Sequence, residues 1–467
     1  MDDFAVIGSG IGGSCSALFL SKKFQTTLYE KASYLGGCAS TFKHQKVFYN
    51  TGATTFAGYE KDAYMYGFFE RHHINFHKKL LPSALTVCIN GKKIVRFQEM
   101  NAFLDEINPV FYHSKNKDFY TLVQQINKDF FAINDYYYSN ASLFEKVKSL
   151  ASFKTLLMKF YPYFFVNAQS FIQNYFGTID EKYLDYLDNQ LLIVAQARLH
   201  EVNFLTAALA LSYQFMDNYY IFGGMGSIFD TIAQKLTHIQ SNTSIEKITK
   251  TSSCFILHTS KNEFKAKNIV LNTSLFDAKS LFTDTKTKEY LNHYASFNKD
   301  ISAFMVYLQI DTPKTFEHHY QIILDQPIKY TTSNSLFVSF GDKDDERMKQ
   351  SVTISVHTQT HLSENDQKLE QKMELEDIIK RIVCEHFGLE ESRILNAFSA
   401  TPQTFKRFIN RSTVGGIPMR QENFIYRLPS NDSPIKGLYH VGDTTFAAQG
   451  WIGVMLGVRN LEKLICV

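Results

Sequence analysis

The chain holds little net charge, little cysteine and little tryptophan for its length. Its 467 residues carry a formal net charge of +3, six cysteines and one tryptophan. A net charge this small gives no argument for binding nucleic acid. The cysteines are scattered, without a CxxC pair or metal-ligand spacing, so we expect no metal site, and their use fits a reducing cytoplasm. They are Cys15, Cys38, Cys88, Cys254, Cys384 and Cys466.

The sequence also lacks a long hydrophobic run and a leader segment. Val202 to Met216 is uncharged but shorter than the ~18 apolar residues of a spanning helix, so a buried helix is expected there. The chain opens directly into its first predicted strand, which predicts no signal peptide. With 45% apolar and 20% charged residues, the composition is that of a globular protein of two or three sub-domains.

The first thirty residues form a pattern typical of a dinucleotide site. A short apolar strand, Phe4 to Ile7, is followed by the glycine-rich residues 8–13 and then by a predicted helix. Gly8 permits a tight turn, Gly10 lets the backbone approach a pyrophosphate, and Gly13 lets the helix pack close to the sheet. The helix N-terminus then offers free N–H groups and a partial positive charge to the anion.

The cofactor predicted from this pattern is FAD. Glu30 follows the second predicted strand, Thr26 to Tyr29, where a carboxylate accepts hydrogen bonds from the adenosine ribose and disfavours a 2′-phosphate. Near the other end of the chain, Gly437 to Val454 predicts a strand, a Gly-Asp turn and a Gly-rich entry into an apolar helix. Two ends that both fit one cofactor indicate a flavoprotein of the FAD-dependent oxidoreductase type.

Further segments resemble the amine oxidase and phytoene desaturase superfamily. The Gly36-Gly37 pair resembles its second FAD fingerprint. Four later segments resemble its other cofactor-binding segments, namely Tyr49 to Ala53, Phe222 to Ser227, Thr243 to Ile248 and Asn268 to Thr273. Of these, Thr243 to Ile248 is expected to be a strand, and a helix is expected at Ile228 to Leu236, just after the second segment. In the C-terminal third, Thr401 to Phe408, Gly416 to Pro418 and Gly437 to Val454 are most similar to the carotenoid isomerase (prolycopene isomerase) and retinol saturase branch, with the phytoene desaturases next.

The motifs and the resemblance together imply a set of cofactor-binding residues. They are Gly8, Gly10, Ile11, Gly13, Glu30, Lys31, Gly37, Cys38, Gly52, Ala53, Ile245, Asn272, Gly442, Asp443, Ile452 and Gly453. The resemblance implies that Asp443 hydrogen-bonds the ribityl chain. Cys38 departs from the pattern, because many members of the superfamily carry arginine there, facing the flavin pyrophosphate. We therefore expect a buried small side chain at this position and one cationic contact to FAD missing.

The implied fold class is α/β, with a Rossmann-type FAD-binding domain assembled from three separate segments. We expect that domain at residues 1–75, 216–290 and 401–467. An α+β substrate-binding domain, with a mixed sheet and a helical part facing the membrane, would then occupy residues 76–215 and 291–400.

The resemblance implies an FAD-dependent enzyme, an oxidoreductase or isomerase, acting on carbon–carbon double bonds of a long polyene or isoprenoid lipid. A carotenoid isomerase, a desaturase and a saturase all remain open, and the catalytic residues are unknown. One alternative is a flavin oxidase of an amine or another small soluble substrate. Another is a prenyl or lipid carrier with the fold of the GDP-dissociation inhibitors, which lack flavin.

One stretch, Ala141 to Val166, combines lysines with aromatic residues. Its lysines are Lys146, Lys148, Lys154 and Lys159. A basic amphipathic segment with aromatics can lie flat in a membrane interface, and a core-facing helix with a solvated lysine face is the alternative. Since a polyene must be extracted from lipid, we expect peripheral association with the inner face of a membrane by an otherwise cytoplasmic protein.

Overall fold

The computed structural model describes residues 1–132, 154–297, 300–359, 367–411, 413, 415–423 and 428–466. The strands in these ranges are β1 Asp2–Ile7, β2 Thr26–Tyr29, β3 Thr41–His44, β4 Val47–Asn50, β5 Phe56–Ala57, β6 Lys78–Leu81, β7 Ser83–Ile89, β8 Lys92–Phe97, β9 Asn218–Ile221, β10 Ile239–Gln240, β11 Lys247–Lys250, β12 Phe255–His258, β13 Glu263–Leu271, β14 Ile301–Ile310, β15 His319–Ile323, β16 Ser335–Phe340, β17 Ser351–Gln359, β18 Ile394–Ala400 and β19 Leu438–His440. The α-helices are α1 Ile11–Leu20, α2 Tyr64–Arg71, α3 Met100–Ile107, α4 Asn116–Ala132, α5 Lys154–Phe164, α6 Ala168–Phe176, α7 Glu181–Ala195, α8 Phe204–Leu211, α9 Gly226–Ala233, α10 Leu275–Ala278, α11 Thr285–His293, α12 Gln367–Phe387, α13 Pro402–Ile409 and α14 Gly450–Cys466.

A seven-stranded sheet joins distant parts of the chain. Its order is β10-β2-β1-β13-β12-β11, and β19 also pairs with β13. The pairs β1–β2, β1–β13 and β13–β19 are parallel, whereas β11, β12 and β13 form an antiparallel meander. Phe4 to Ile7 of β1 are a continuous buried apolar run because both faces of the sheet are covered, and α1 packs there against α14. This Rossmann-type arrangement confirms the predicted α/β class.

A second seven-stranded sheet has the order β18-β14-β17-β16-β15-β7-β8. Its pairs are antiparallel except for β15–β7, which is parallel. The amphipathic helix α12 covers one face of this sheet with Leu375, Ile379 and Val383, which are fully buried in one cluster with residues of the sheet. Asn90 and Gly91 form the hairpin turn between β7 and β8, and both have positive φ, as a two-residue turn of this kind requires.

The helices α3 to α8 pack into an aromatic core. Phe103, Phe119, Tyr120, Tyr183 and Phe204 are among its buried residues. None of the described helices combines the length and the apolarity needed to cross a membrane.

Three predicted elements are displaced along the chain. The strand expected from Thr243 to Ile248 begins only at Lys247. Residues 243–246 are irregular, and Thr243 N donates to the carbonyl oxygen of Glu30, just after β2. The helix expected at Ile228 to Leu236 runs from Gly226 to Ala233. The helix expected at Val202 to Met216 is shorter: it begins after the capping Asn203 and ends at Leu211, where a 3-10 turn takes over.

Candidate functional site

The glycine loop after β1 has a shape that depends on its glycines. Gly8 has φ of +92°, in the left-handed region. A Cβ at Gly10 would lie 2.7 Å from Asn272 Nδ2, and one at Gly13 would overlap the carbonyl oxygen of Gly8. Gly8 and Gly10 line a cavity, whereas Gly13 lies behind them where α1 packs on the loop.

Glu30 fixes the loop from the neighbouring strand. It lies just after β2 and is 9% exposed. Its Oε2 accepts hydrogen bonds from Ser9 N (2.9 Å) and Ser9 Oγ (2.5 Å), and its Oε1 accepts one from Ala32 N (2.8 Å). A carboxylate has about four lone-pair sites, so acceptor capacity is left for hydroxyl groups in the cavity that Glu30 lines.

Asn272 connects the loops at the carboxyl ends of three parallel strands. It follows β13, and its Nδ2 donates to the carbonyl oxygen of Gly8 after β1 (3.3 Å). On the other side, a Cβ at Gly442, after β19, would lie 3.0 Å from Asn272 Oδ1. The carboxyl edge of a parallel sheet is where this class of fold binds its ligands.

An arginine that the sequence analysis did not single out lies beside Cys38 and Asp443. Arg411 donates from Nη1 to Asp443 Oδ2 (2.8 Å) and from Nη2 to Asp443 Oδ1 (3.1 Å), and its Nη1 is 3.9 Å from the Cys38 sulfur. Burial disfavours the charge of Arg411, but the adjacent Asp443 carboxylate outweighs burial and raises the pKa of the guanidinium. Burial raises the pKa of the Cys38 thiol, which therefore stays protonated near neutral pH.

This cluster revises two expectations. Position 38 carries no cation, but the guanidinium of Arg411, from the loop after α13, places a positive charge beside it. Both carboxylate oxygens of Asp443 are engaged by Arg411, so the expected ribityl contact would be made by an already paired carboxylate. No local sequence pattern indicates this pair, because the two partners are 32 positions apart in irregular segments.

The predicted residues come together around one cavity of about 530 Å³. Fifteen of the sixteen line it: Gly8, Gly10, Ile11, Glu30, Lys31, Gly37, Cys38, Gly52, Ala53, Ile245, Asn272, Gly442, Asp443, Ile452 and Gly453. Lys31 donates to the Arg407 carbonyl oxygen (3.0 Å), and Ala53 N donates to the Cys38 carbonyl oxygen (3.0 Å). That these residues bind a cofactor remains a prediction.

The same cavity continues between the second sheet and the helices. Its apolar wall there includes Leu85, Phe130, Leu205, Phe337 and Met419. We call the part of the cavity that is lined by the loops after β1, β13 and β19 the dinucleotide side. Two buried hydroxyl groups there, Thr273 Oγ1 and Ser274 Oγ, have no hydrogen-bond partner within the described part of the chain. Orphan polar atoms of this kind fit a site that receives a polar ligand.

A second buried arginine lines the apolar part of the cavity. Arg96 is 3% exposed. Its Nε donates to Gln214 Oε1, its Nη1 to Gln190 Oε1 and its Nη2 to the Leu211 carbonyl oxygen (3.0 Å). A sequence signal existed: Arg96 shares a strand face with the fully buried Ile94, a position where an apolar residue is expected.

One histidine, His357, also lines the cavity. Burial lowers its pKa to about 4, so the imidazole is neutral near pH 7. Among the residues that the structure describes, no group of three His, Cys, Asp or Glu side chains is placed to hold a metal ion.

Comparisons with known proteins extend these observations. Residues 6–72 match the family model of the NAD(P)-binding Rossmann-like domain. The chain is 24% identical to the chloroplastic prolycopene isomerase of Daucus carota, over 97% of this chain and 78% of that protein. This chain is similar to prolycopene isomerase over nearly its whole length. The resemblance predicted from the motifs is thereby confirmed.

Solved structures share the fold at lower sequence identity. Cyclohexylamine oxidase from Brevibacterium oxydans superposes with a TM-score of 0.60 at 14% identity, covering 98% of this chain and 96% of that one. The fatty acid isomerase of P. acnes that produces conjugated linoleic acid superposes with a TM-score of 0.58, also at 14% identity, covering 100% and 99%. One fold therefore serves both an amine oxidase and an isomerase of unsaturated chains.

Proposed function

We propose that this protein is an FAD-dependent oxidoreductase or isomerase that acts on carbon–carbon double bonds of a long polyene or isoprenoid lipid. The observation that carries the proposal is the continuous cavity: one wall comes from the three strand-end loops and the other from apolar side chains. A cofactor held at the loops would then face a substrate held in the apolar part. The similarity to prolycopene isomerases supports this choice of reaction.

The residues present fit FAD. In this proposal Glu30 accepts from the adenosine ribose, and the loop from Gly8 to Gly10 receives the pyrophosphate at the N-terminus of α1. The orphan hydroxyls of Thr273 and Ser274 offer further hydrogen bonds. The bound flavin would supply hydride acceptance or donation. The chain's own contribution is to hold the cofactor, orient the substrate and exclude water from the apolar wall.

The charge of the cavity argues against a cationic amine as substrate. Its only described acidic lining residues are Glu30 and Asp443, and both belong to the dinucleotide part. The apolar part carries Arg96, whose positive charge would repel a protonated amine. The likeness to amine oxidases is thus a likeness of fold, and a neutral or anionic lipid suits the cavity better.

Peripheral membrane association is a second part of this proposal. On α5, Met158, Tyr161 and the adjoining Phe165 are 71%, 64% and 66% exposed, at a spacing that places them on one helical face. Lys154 is exposed, whereas Lys159 pairs with Asp129 at 2.8 Å. Of the other two lysines, Lys146 and Lys148, nothing is inferred, since they lie outside the described residues.

The test of the enzymatic proposal combines a spectrum with a product analysis. The purified protein should show flavin bands near about 375 and 450 nm. With reduced flavin and a poly-cis carotenoid in detergent, chromatography should detect isomerised or saturated product. With oxidised flavin and an added electron acceptor, it should instead detect desaturated product. A colourless protein that nonetheless binds prenyl lipid would instead support the carrier alternative. A yellow protein that oxidises amines and leaves the polyene unchanged would support the oxidase alternative.

The membrane part is tested separately. The protein should co-sediment with anionic liposomes, and added salt should weaken that binding only in part, because the aromatic contribution is unscreened. Changing Met158, Tyr161 and Phe165 together to Ser should reduce binding. The matched control changes two exposed apolar residues on α12, Leu369 and Met373, to Ser. Equal binding by both variants would contradict the assignment to α5.

A further inference from the structure

The positive charge of Arg96 is buried without an acidic partner. Its side chain is 3% exposed, and no ion pair found within the described ranges includes it. Its partners are the uncharged oxygens of Gln190, Gln214 and Leu211. A buried charge normally requires an opposite charge, because neutral dipoles offset only part of the lost hydration.

The arginine is held firmly and still has hydrogen-bonding capacity. Gln190 is oriented in turn by donating its Nε2 to Gln321 Oε1 (2.6 Å), and Gln321 donates to the Asn189 carbonyl oxygen (3.1 Å). A guanidinium has five N–H groups, of which three are used here, so one on each terminal nitrogen remains. Two N–H groups are enough donors for the two oxygens of one carboxylate.

A second donor lines the same cavity. Asn127 on α4 is 7% exposed, and its Nδ2 has no hydrogen-bond partner among the described residues. The apolar part of the cavity therefore offers one permanent cation and one unused amide donor, with apolar side chains around them. Such a set recognises an anion that is attached to a hydrocarbon chain.

We propose that Arg96 binds the carboxylate of a long-chain polyenoic acid and thereby fixes the position of its double bonds in the cavity. This proposal rests on the proposed function and narrows its substrate class to acids. One guanidinium charge matches one carboxylate. A phosphate would bring up to two negative charges, and the other described cations of the lining, Lys31 and Arg411, belong to the dinucleotide side.

The experiment compares one polyene in its charged and uncharged forms. The fluorescent probe cis-parinaric acid and its methyl ester are titrated into the purified holoprotein at pH 7.5. Wild-type protein should bind the acid at least tenfold more tightly than the ester. In Arg96→Gln this preference should fall to within about twofold, whereas Arg96→Lys should keep part of it.

The matched control is Arg393→Gln, which removes an exposed arginine outside the cavity and should leave the preference unchanged. Flavin content and melting temperature show whether each variant is folded. If Arg96→Gln does not fold, the proposal is judged from the wild-type protein alone, by the ratio of its affinities for the acid and the ester. A wild-type protein that binds both probes equally, or neither, overturns the proposal, as does a folded Arg96→Gln that keeps the preference. Failure of the proposed function is seen separately, as the absence of flavin from the same wild-type sample.

Discussion

Removal of the Asp443 carboxylate should destabilise the protein even when no cofactor is bound. In the structure Asp443 and Arg411 form a bidentate ion pair whose side chains are only 21% and 15% exposed. Asp443→Ala would leave the guanidinium buried without its partner. Breaking a fully buried pair in this way costs roughly 3–5 kcal/mol, and the residual exposure of both side chains argues for the lower end, about 3 kcal/mol.

That free energy converts into a measurable shift. With an unfolding entropy of roughly 2.1 cal/mol/K per residue over 467 residues, a loss of about 3 kcal/mol lowers the melting temperature by about 3 °C if the chain melts as one unit. The assay is a thermal melt of cofactor-stripped protein. Arg411→Leu combined with Asp443→Ala should recover much of the loss, because no unpaired charge then remains.

The comparison of single and double variants separates two roles for Asp443. If the carboxylate only contacted the ribityl chain, Asp443→Ala would lose flavin but leave the stripped protein as stable as wild type. A stripped Asp443→Ala protein that melts with the wild type would refute the reasoning from the ion pair. Equal destabilisation of the single and the double variant would refute the claim that an unpaired Arg411 causes the loss.

Three further predictions concern the loop, the nucleotide and acid stability. Gly10→Val should abolish flavin retention, because its Cβ would displace the side chain of Asn272. The control Gly67→Ala, whose Cβ meets no atom within 4 Å, should purify yellow. Glu30→Gln should retain less flavin through the loss of charge-assisted bonds worth ~1.5–3 kcal/mol, and heat-released cofactor from the wild type should chromatograph as FAD; recovery of NADP would overturn the assignment. Burial lowers the pKa of His319 and His440 to about 3, below the unfolded value of 6.5, so stability should be full above about pH 6.5 and fall by about 2 kcal/mol per histidine at pH 5. A melting temperature that stays constant from pH 7 to pH 5 would contradict this.

Local patterns predicted well which residues near the start of the chain lie together at the cavity. The glycines after β1 and the acid after β2 lie within one short stretch, where chain connectivity alone determines that they meet. The segments around Asn272 and Gly442 were found through resemblance, and the parallel pairing of β13 with β1 and β19 brings them to the same edge. The strand predicted to begin at Thr243 begins only at Lys247, because Thr243 lies in an irregular segment that hydrogen-bonds to the chain just after β2.

The two buried arginines escaped the sequence analysis for a different physical reason. The partners of Arg96 come from α7, from the end of α8 and from the 3-10 turn after α8, 94 to 118 positions away. Those of Arg411 come from two separate irregular segments. Nothing in a local pattern reports an interaction across such separations. A charged residue on an otherwise apolar strand face nevertheless indicates a buried polar role. Arg96, two positions after Ile94 on the same face of β8, is such a residue.

The distribution of charge along the cavity has a consequence for regiochemistry. At the dinucleotide end the negative charge of Asp443 is paired with Arg411, so this pair neither attracts nor repels a substrate strongly. At the other end the charge of Arg96 stands alone. On our proposal the acid group is held at Arg96, and the length of the chain determines which double bond reaches the cofactor. The reacting bond would then be counted from the carboxylate. If the acid is lengthened by two carbons at its carboxyl end, the enzyme should act on a bond two positions nearer the carboxylate than before, when both are counted in the original chain. An enzyme that recognised the hydrocarbon end would continue to act on the same bond.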